Sequence, residues 1–163
     1  ENVSSADSAH PTARRYHGSG IVSNGTDDLS LNVKIASGMT AGKTAFYDRF
    51  DLYTTEDESV RSGYSARELI ARNYAIMNAE IRFRIFNTIV PPQFSLRCTG
   101  FLFTDQAYLS SRRNDMFDKS IKDAYGAGVR LLFDNPVFAY FSFSYGFNRR
   151  KEGRYVFAGT AGF

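Results

Sequence analysis

At 163 residues, 43% of them apolar, the chain has the length of one domain and enough hydrophobic content to bury a core. Twenty Lys and Arg against 17 Asp and Glu give a net charge of +3, and no basic run is long enough to form a nucleic-acid patch. A single cysteine, Cys98, excludes an intrachain disulfide, and two scattered histidines offer no metal cluster, so stability has to come from strand pairing and burial.

Residues 1–13 are small and polar, contain a proline, and read as a lead-in or loop ahead of β-strands expected over 14–163. The chain opens on Glu rather than Met without a signal peptide, so a processed product or a part of a longer protein is expected. The first strand, 16–22, is weak because Gly18 and Gly20 lower its propensity. Over 29–37, Leu29, Leu31, Val33 and Ile35 alternate with Ser30, Asn32 and Lys34, which is a half-polar strand. A long, polar, charged loop is expected over 40–73, and within it 66–72 (ARELIAR) can make two helical turns.

The next strand, 74–86, sets Ala75, Met77, Ala79, Ile81, Phe83 and Ile85 opposite Asn78, Glu80, Arg82 and Arg84. A short turn with two prolines is expected over 87–92. Over 94–105, Phe94, Leu96, Cys98, Gly100 and Leu102 oppose Ser95, Arg97, Thr99 and Asp105, and a second long loop is expected over 108–123. Over 125–133, Tyr125, Ala127, Val129, Leu131 and Phe133 oppose Gly126, Gly128 and Arg130, and a tight turn follows at Asp134, Asn135 and Pro136. Two aromatic strands close the chain. Residues 137–147 place Phe141, Phe143, Tyr145 and Phe147 against Ser142, Ser144 and Gly146, and 153–163 place Tyr155, Phe157, Gly159 and Phe163 against Arg154, Val156 and Thr160.

The seven segments are each about as long as the 9 to 11 residues a tilted strand needs to cross a bilayer. No run approaches the roughly 18 to 20 apolar residues of a spanning helix, so a membrane location requires a closed sheet. Aromatics on the apolar pattern, with short turns at one end and long loops at the other, predict an all-β fold: a transmembrane antiparallel β-barrel. The competing arrangement is a soluble sandwich or lipocalin-like barrel with its apolar face inward.

No constellation supports catalysis. His10 and His17 have no nucleophile placed beside them, and the Gly18/Gly20 and Gly126/Gly128 pairs lack the helix of a phosphate cradle. Those glycines read instead as sites of close packing or curvature. Glu56, Asp57 and Glu58 form a solvated charge run, and Ser110, Ser111 and Asp115 have no neighbouring histidine with which to act on lipid. A non-enzymatic protein without metal or cofactor is expected.

Four landmarks occur in an order that resembles the C-terminal half of the BamA/TamA-type outer-membrane assembly and translocation barrels, the bacterial surface-antigen superfamily. They are Val60-Arg61-Ser62-Gly63-Tyr64, Asn78 to Phe83 (NAEIRF), Phe101 to Asp105 (FLFTD), and the stretch from Tyr125-Gly126-Ala127-Gly128-Val129-Arg130 to the terminal Phe163. The likeness covers about 46–163, with Ser62 standing where the family has glycine directly after the arginine. The resemblance implies that these are the C-terminal strands of a sixteen-stranded barrel in the bacterial outer membrane. It further implies a loop folded back into the barrel, its Arg61 meeting Glu80 and Asp105, with Gly63 and Tyr64 beside it. Alternation independently puts Glu80 and Asp105 on the polar faces of their strands.

By the same resemblance, Tyr155, Phe157, Gly159 and Phe163 carry the C-terminal signal and a weak lateral seam through which client proteins are inserted or secreted. The partners implied are outer-membrane lipids, unfolded β-barrel clients, periplasmic modules or accessory lipoproteins, and the remaining barrel strands from the same or another chain; nucleic acid is not among them. The alternative is a passive outer-membrane pore, or a translocator anchoring a fused soluble domain.

Overall fold

The computed structural model describes residues 14–41, 49–53, 59–90, 94–110, 121–134 and 138–162. In chain order the strands are β1 (Arg14–Gly25), β2 (Leu29–Ala41), the two-residue β3 (Phe50–Asp51) and β4 (Ile70–Ala71), then β5 (Asn73–Val90), β6 (Phe94–Ser110), β7 (Ile121–Asp134), β8 (Phe138–Phe147) and β9 (Gly153–Gly162). The seven long strands form one antiparallel sheet in the order β1-β2-β5-β6-β7-β8-β9, while β3 and β4 pair separately. Each long strand lies beside the next one in sequence. This is the up-and-down connectivity that alternating segments joined by local turns produce.

Register fixes two faces. One row across the sheet runs Leu31, Ile81, Leu102, Ala127, Tyr145 and Tyr155, and the row beside it on the opposite face runs Asn32, Glu80, Phe103, Gly126, Gly146 and Arg154. The first face is apolar and open: Ile35 is 59% exposed, Phe143 51% and Phe157 69%. Soluble monomers rarely leave more than about 300–600 Å² of contiguous apolar surface bare, so a face apolar from β2 to β9 fits hydrocarbon rather than water. The second face carries the core. Phe50, Leu52, Val60, Tyr64, Leu69 and Ala71 of the β2–β5 connection pack there on Ala36, Tyr74, Ile76, Phe101, Phe103 and Ala107 of the sheet. The aliphatic rows therefore point away from the packed interior, opposite to the lipocalin-like alternative.

Several sequence expectations need correction. β5 does not stop at 86: Asn87 to Val90 keep pairing with Arg97 to Phe94, and the two strands absorb a register shift between Arg84 and Phe86. Of the expected 87–92 turn, residues 91 and 92 lie outside the described residues. β6 likewise continues to Ser110 and β7 begins at Ile121, because Tyr108 pairs with both Ala75 and Ile121. The expected two helical turns at 66–72 are one 3-10 turn, Ala66–Leu69, followed at once by β4. Ile70 there pairs with Asp51 and Ala71 with Phe50, and that pairing outcompetes helix continuation. The loop expected to be merely polar and charged has a packed interior, with Val60, Ser62, Leu69 and Ala71 fully buried. The lead-in at 1–13, the 135–137 turn, the acidic run at 54–58, residues 111–120 and Phe163 lie outside the described residues.

Candidate functional site

β6 brings the site into being by spacing alone. Its odd-numbered residues Phe101, Phe103, Asp105 and Ala107 all face the interior and are buried, whereas Leu102, Thr104, Gln106 and Tyr108 are exposed. The sequence reading placed Asp105 on this face correctly. It missed that two phenylalanines share the row, since an inner wall was expected to be polar throughout.

On the β7 side these rings face glycines: Gly126 lies opposite Phe103 and Gly128 opposite Phe101, with Gly146 of β8 beyond Gly126. A Cβ on Gly126 would strike the Phe103 ring, one on Gly128 the Phe101 ring, and one on Gly146 both Phe103 and the backbone carbonyl of Arg61. The three glycines make a trough in which the rings lie down and the loop backbone rests. Gly126 and Gly128 were expected to allow close packing; Gly146 was not singled out.

Into the trough comes the segment 59–65. Val60 N–H donates to the Leu52 carbonyl (3.1 Å), which anchors the segment to its own loop, and Ser62 N–H donates to the Val60 carbonyl (2.9 Å), a tight three-residue turn centred on Arg61. Gly63 N–H then donates to the Glu152 carbonyl (3.1 Å) in the β8–β9 connection. A side chain at Gly63 would collide with the Glu152 backbone, so the approach requires glycine. Ser62, the residue that departs from the resembled motif, is fully buried, and its Oγ has no hydrogen-bond partner among the described residues.

The turn aims Arg61 at two carboxylates. Its backbone N–H and its Nε–H both donate to Asp105 Oδ2 (3.0 Å each), Nη2 donates to Asp105 Oδ1 (2.7 Å), and Nη1 donates to Glu80 Oε1. Asn78 Nδ2 adds bonds to Asp105 Oδ1 (2.8 Å) and to the Ser59 carbonyl (3.1 Å). The guanidinium lies over the Phe103 ring at 3.9 Å from its centroid, a cation–π contact in a desolvated setting. Burial alone would lower the Arg61 pKa, but the bonds and charges of Asp105, then Glu80, outweigh it and raise the pKa above its ordinary value. The pair is bidentate on Asp105, and leaving either partner alone in this interior would cost several kcal/mol, about 3 to 5.

Glu80 serves more than Arg61. Arg130 donates to it from Nη1 (2.7 Å) and Nη2 (2.8 Å), and Arg82 donates from Nε (2.8 Å). Arg130 also stacks over Phe101 at 4.2 Å, as Arg61 does over Phe103. Sequence reading set Arg130 on the polar side of its strand but gave it no partner. Its parity with Gly126 and Gly128 was read from the sequence; the register that pairs it with Thr99 of the inner row was not.

A second set of contacts ties the loop to the last hairpin. Asn148, fully buried, accepts Glu152 N–H on its Oδ1 (3.1 Å) and donates to Glu152 Oε2 (2.8 Å), closing a turn in which Lys151 adopts a left-handed φ of 63°. Arg154, near the start of β9, donates to the Tyr53 carbonyl (3.2 Å) and covers the Tyr53 ring at 3.9 Å. Tyr64 donates its hydroxyl to Asp123 Oδ1 (3.1 Å), and burial pushes its pKa up. Glu68 accepts bonds from Ser65 N–H (3.1 Å), Lys122 (3.3 Å) and Arg150 (3.3 Å). Led by the Ser65 backbone bond, these hold its carboxyl down at about 2.

Of the sequence-predicted residues, Arg61, Glu80 and Asp105 meet directly, Gly63 touches the last hairpin, and Tyr64 reaches β7. Tyr155, Phe157 and Gly159 lie on the apolar outer face of β9, remote from that network, and Tyr155 and Phe157 are 68% and 69% exposed. Among the described residues no three His, Cys, Asp or Glu side chains are grouped to hold a metal.

With this geometry, a family model described as the Omp85 superfamily domain matches residues 12–162. Comparison with curated proteins and with solved structures gave no match. The chain belongs to the Omp85 superfamily, and at that level it is part of an outer-membrane β-barrel of the kind that inserts or secretes proteins.

Proposed function

We propose that this Omp85-superfamily chain supplies the seam side of a barrel that inserts or secretes client proteins in the bacterial outer membrane, and that it does so without chemistry of its own. One observation carries the reading. The Arg61 loop is bonded to the last hairpin, β8–β9, through Gly63, Glu152, Tyr53 and Arg154, so the outer edge of β9 is the edge whose pairing the loop can influence. An edge strand offers unpaired backbone donors and acceptors to an incoming strand. Gly159 and Gly162 give that edge little side-chain packing with which to hold a permanent neighbour.

On this reading the loop senses or restrains the seam. Its contacts with Asp105 and Glu80 keep it docked on the inner wall, and its contacts with the β8–β9 connection transmit that position to β9. Partners would be membrane lipid on the Tyr155 and Phe157 face, unfolded β-strand clients at the edge, and periplasmic modules or accessory lipoproteins that deliver them. The test is a Gly159→Cys variant of the full-length protein, crosslinked in cells during client assembly. Client adducts at that position and none at an inner-face control such as Ala158→Cys are expected; the absence of adducts during active assembly counts against the seam. Arg61→Ala distinguishes the passive pore: higher ion conductance with client insertion at its normal rate would favour that alternative.

A further inference from the structure

Beside the Arg61 network the inner wall encloses a cavity of about 400 Å³, lined by Lys34 of β2, Arg82 of β5, Arg130 of β7, and Tyr140, Ser142 and Ser144 of β8. Among the described residues its charges do not balance. Three guanidiniums, those of Arg61, Arg82 and Arg130, converge on two carboxylates, Glu80 and Asp105. Among the described residues Glu80 is the one carboxylate in the lining, and both of its oxygens are already engaged by arginines. Its repulsion of a second anion is therefore outweighed by the cations around it.

The donors are not exhausted either. Arg130 Nε is buried without a hydrogen-bond partner among the described residues, and the Arg82 side chain retains 40% exposure. Ser142 lies directly across from Arg130 in the β7–β8 register and lines the same cavity, so a hydroxyl stands beside the unused guanidinium edge. An orphaned buried donor next to surplus positive charge calls for an acceptor that carries charge. Guanidinium forks match the oxygens of a carboxylate or phosphate better than they match a halide or water.

We propose that this cavity is an oxyanion-binding site in the barrel lumen, in which Arg82 and Arg130 grip the anionic group and Ser142 donates a further hydrogen bond. The group has two sources with the same chemistry: a free ion in the lumen, or an acidic side chain of a polypeptide lying against the wall. The test is calorimetric titration of the full-length protein in detergent micelles, in chloride-free buffer, first with inorganic phosphate and then with tetraglutamate.

Saturable binding of either probe to one site, weakened about tenfold by Arg82→Gln and partly restored by Arg82→Lys, is expected. Phosphate binding alone assigns the site to free ions, and competition between the two probes assigns it to polypeptide carboxylates as well. Ser142→Asp puts a fixed carboxylate in the cavity while leaving every bond of the Arg61 loop in place, and it should abolish binding even if Arg82→Gln disturbs the fold. No saturable heat with either probe, or affinity that survives both Arg82→Gln and Ser142→Asp, overturns the proposal.

Discussion

The two faces of β6 have nearly the same composition of large side chains and opposite fates. Phe101 and Phe103 are buried at 1% and 5% exposure, while Leu102, between them, is 53% exposed. In a water-soluble sheet this difference would mark inside and outside, with polar residues on the open side. Here the open side is apolar from Leu31 to Tyr155, and the covered side holds Asp105, Glu80 and Arg61. Two solvents are at work: hydrocarbon accepts the outer rows without needing partners, and the inner rows replace water with a loop that brings Arg61 to Asp105 and Glu80. The comparison teaches that burial, not polarity, distinguishes the working face of this sheet.

The largest expected effect comes from breaking the covered side. Asp105→Ala removes the acceptor for the Arg61 backbone, Nε and Nη2, and strands a buried guanidinium; a loss of about 3 to 5 kcal/mol is expected. Denaturant unfolding of the full-length protein in lipid, with proteolysis at 59–65 as the local probe, measures both consequences. The open side should be nearly as sensitive to charge but insensitive to partners. Phe143→Arg, near the middle of β8, should cost about 2 to 4 kcal/mol in a bilayer and far less in a detergent that solvates the guanidinium. An equal cost in both media would mean that this face meets protein rather than lipid. Gly146→Ala should cost about 1 to 3 kcal/mol, because the new methyl strikes the Arg61 carbonyl and the Phe103 ring, and its effect should appear as faster hydrogen exchange at Arg61 and Ser62.

The strands and their faces were legible in the sequence because period-two alternation survives wherever each face meets one uniform solvent, as along Leu29, Leu31, Val33 and Ile35. It blurred where the loop replaces water. Phe101 and Phe103 look like outward residues by polarity, and only the parity of Asp105 two positions on places them inside. Strand ends were misplaced at 87–90 and 106–110 because pairing with a neighbour, which no local pattern records, extends β5 and β6 past their last alternating residues. Arg61, Glu80 and Asp105 were named from a resemblance, and alternation added that the two carboxylates share a face. Alternation put Arg130, Asn78 and Gly146 on the polar faces of their strands, but only register brings them to the Arg61 network, so no reading of single segments could have assembled it.

The gentlest test separates the buried network from the rim of the same loop. Glu68, on the 3-10 turn, is held at about 2 by the Ser65 backbone N–H with help from Lys122, against an ordinary value of 4.5. Its folded pKa is depressed, so its contribution is complete above about 4.5, fades as the pH falls toward about 2, and is absent below that. The carboxylate is a third exposed and its partners sit at the solvent edge, so screening keeps the effect small. Protease nicking of the loop should therefore quicken only about threefold between pH 5 and pH 3, and high salt should erase the difference. Glu68→Gln should show the faster rate already at pH 5 and no further step from this group. If the loop of the Gln variant still loosens steeply between those pH values, Glu68 is not the anchor that the acid releases, and the distinction drawn between rim and buried network fails.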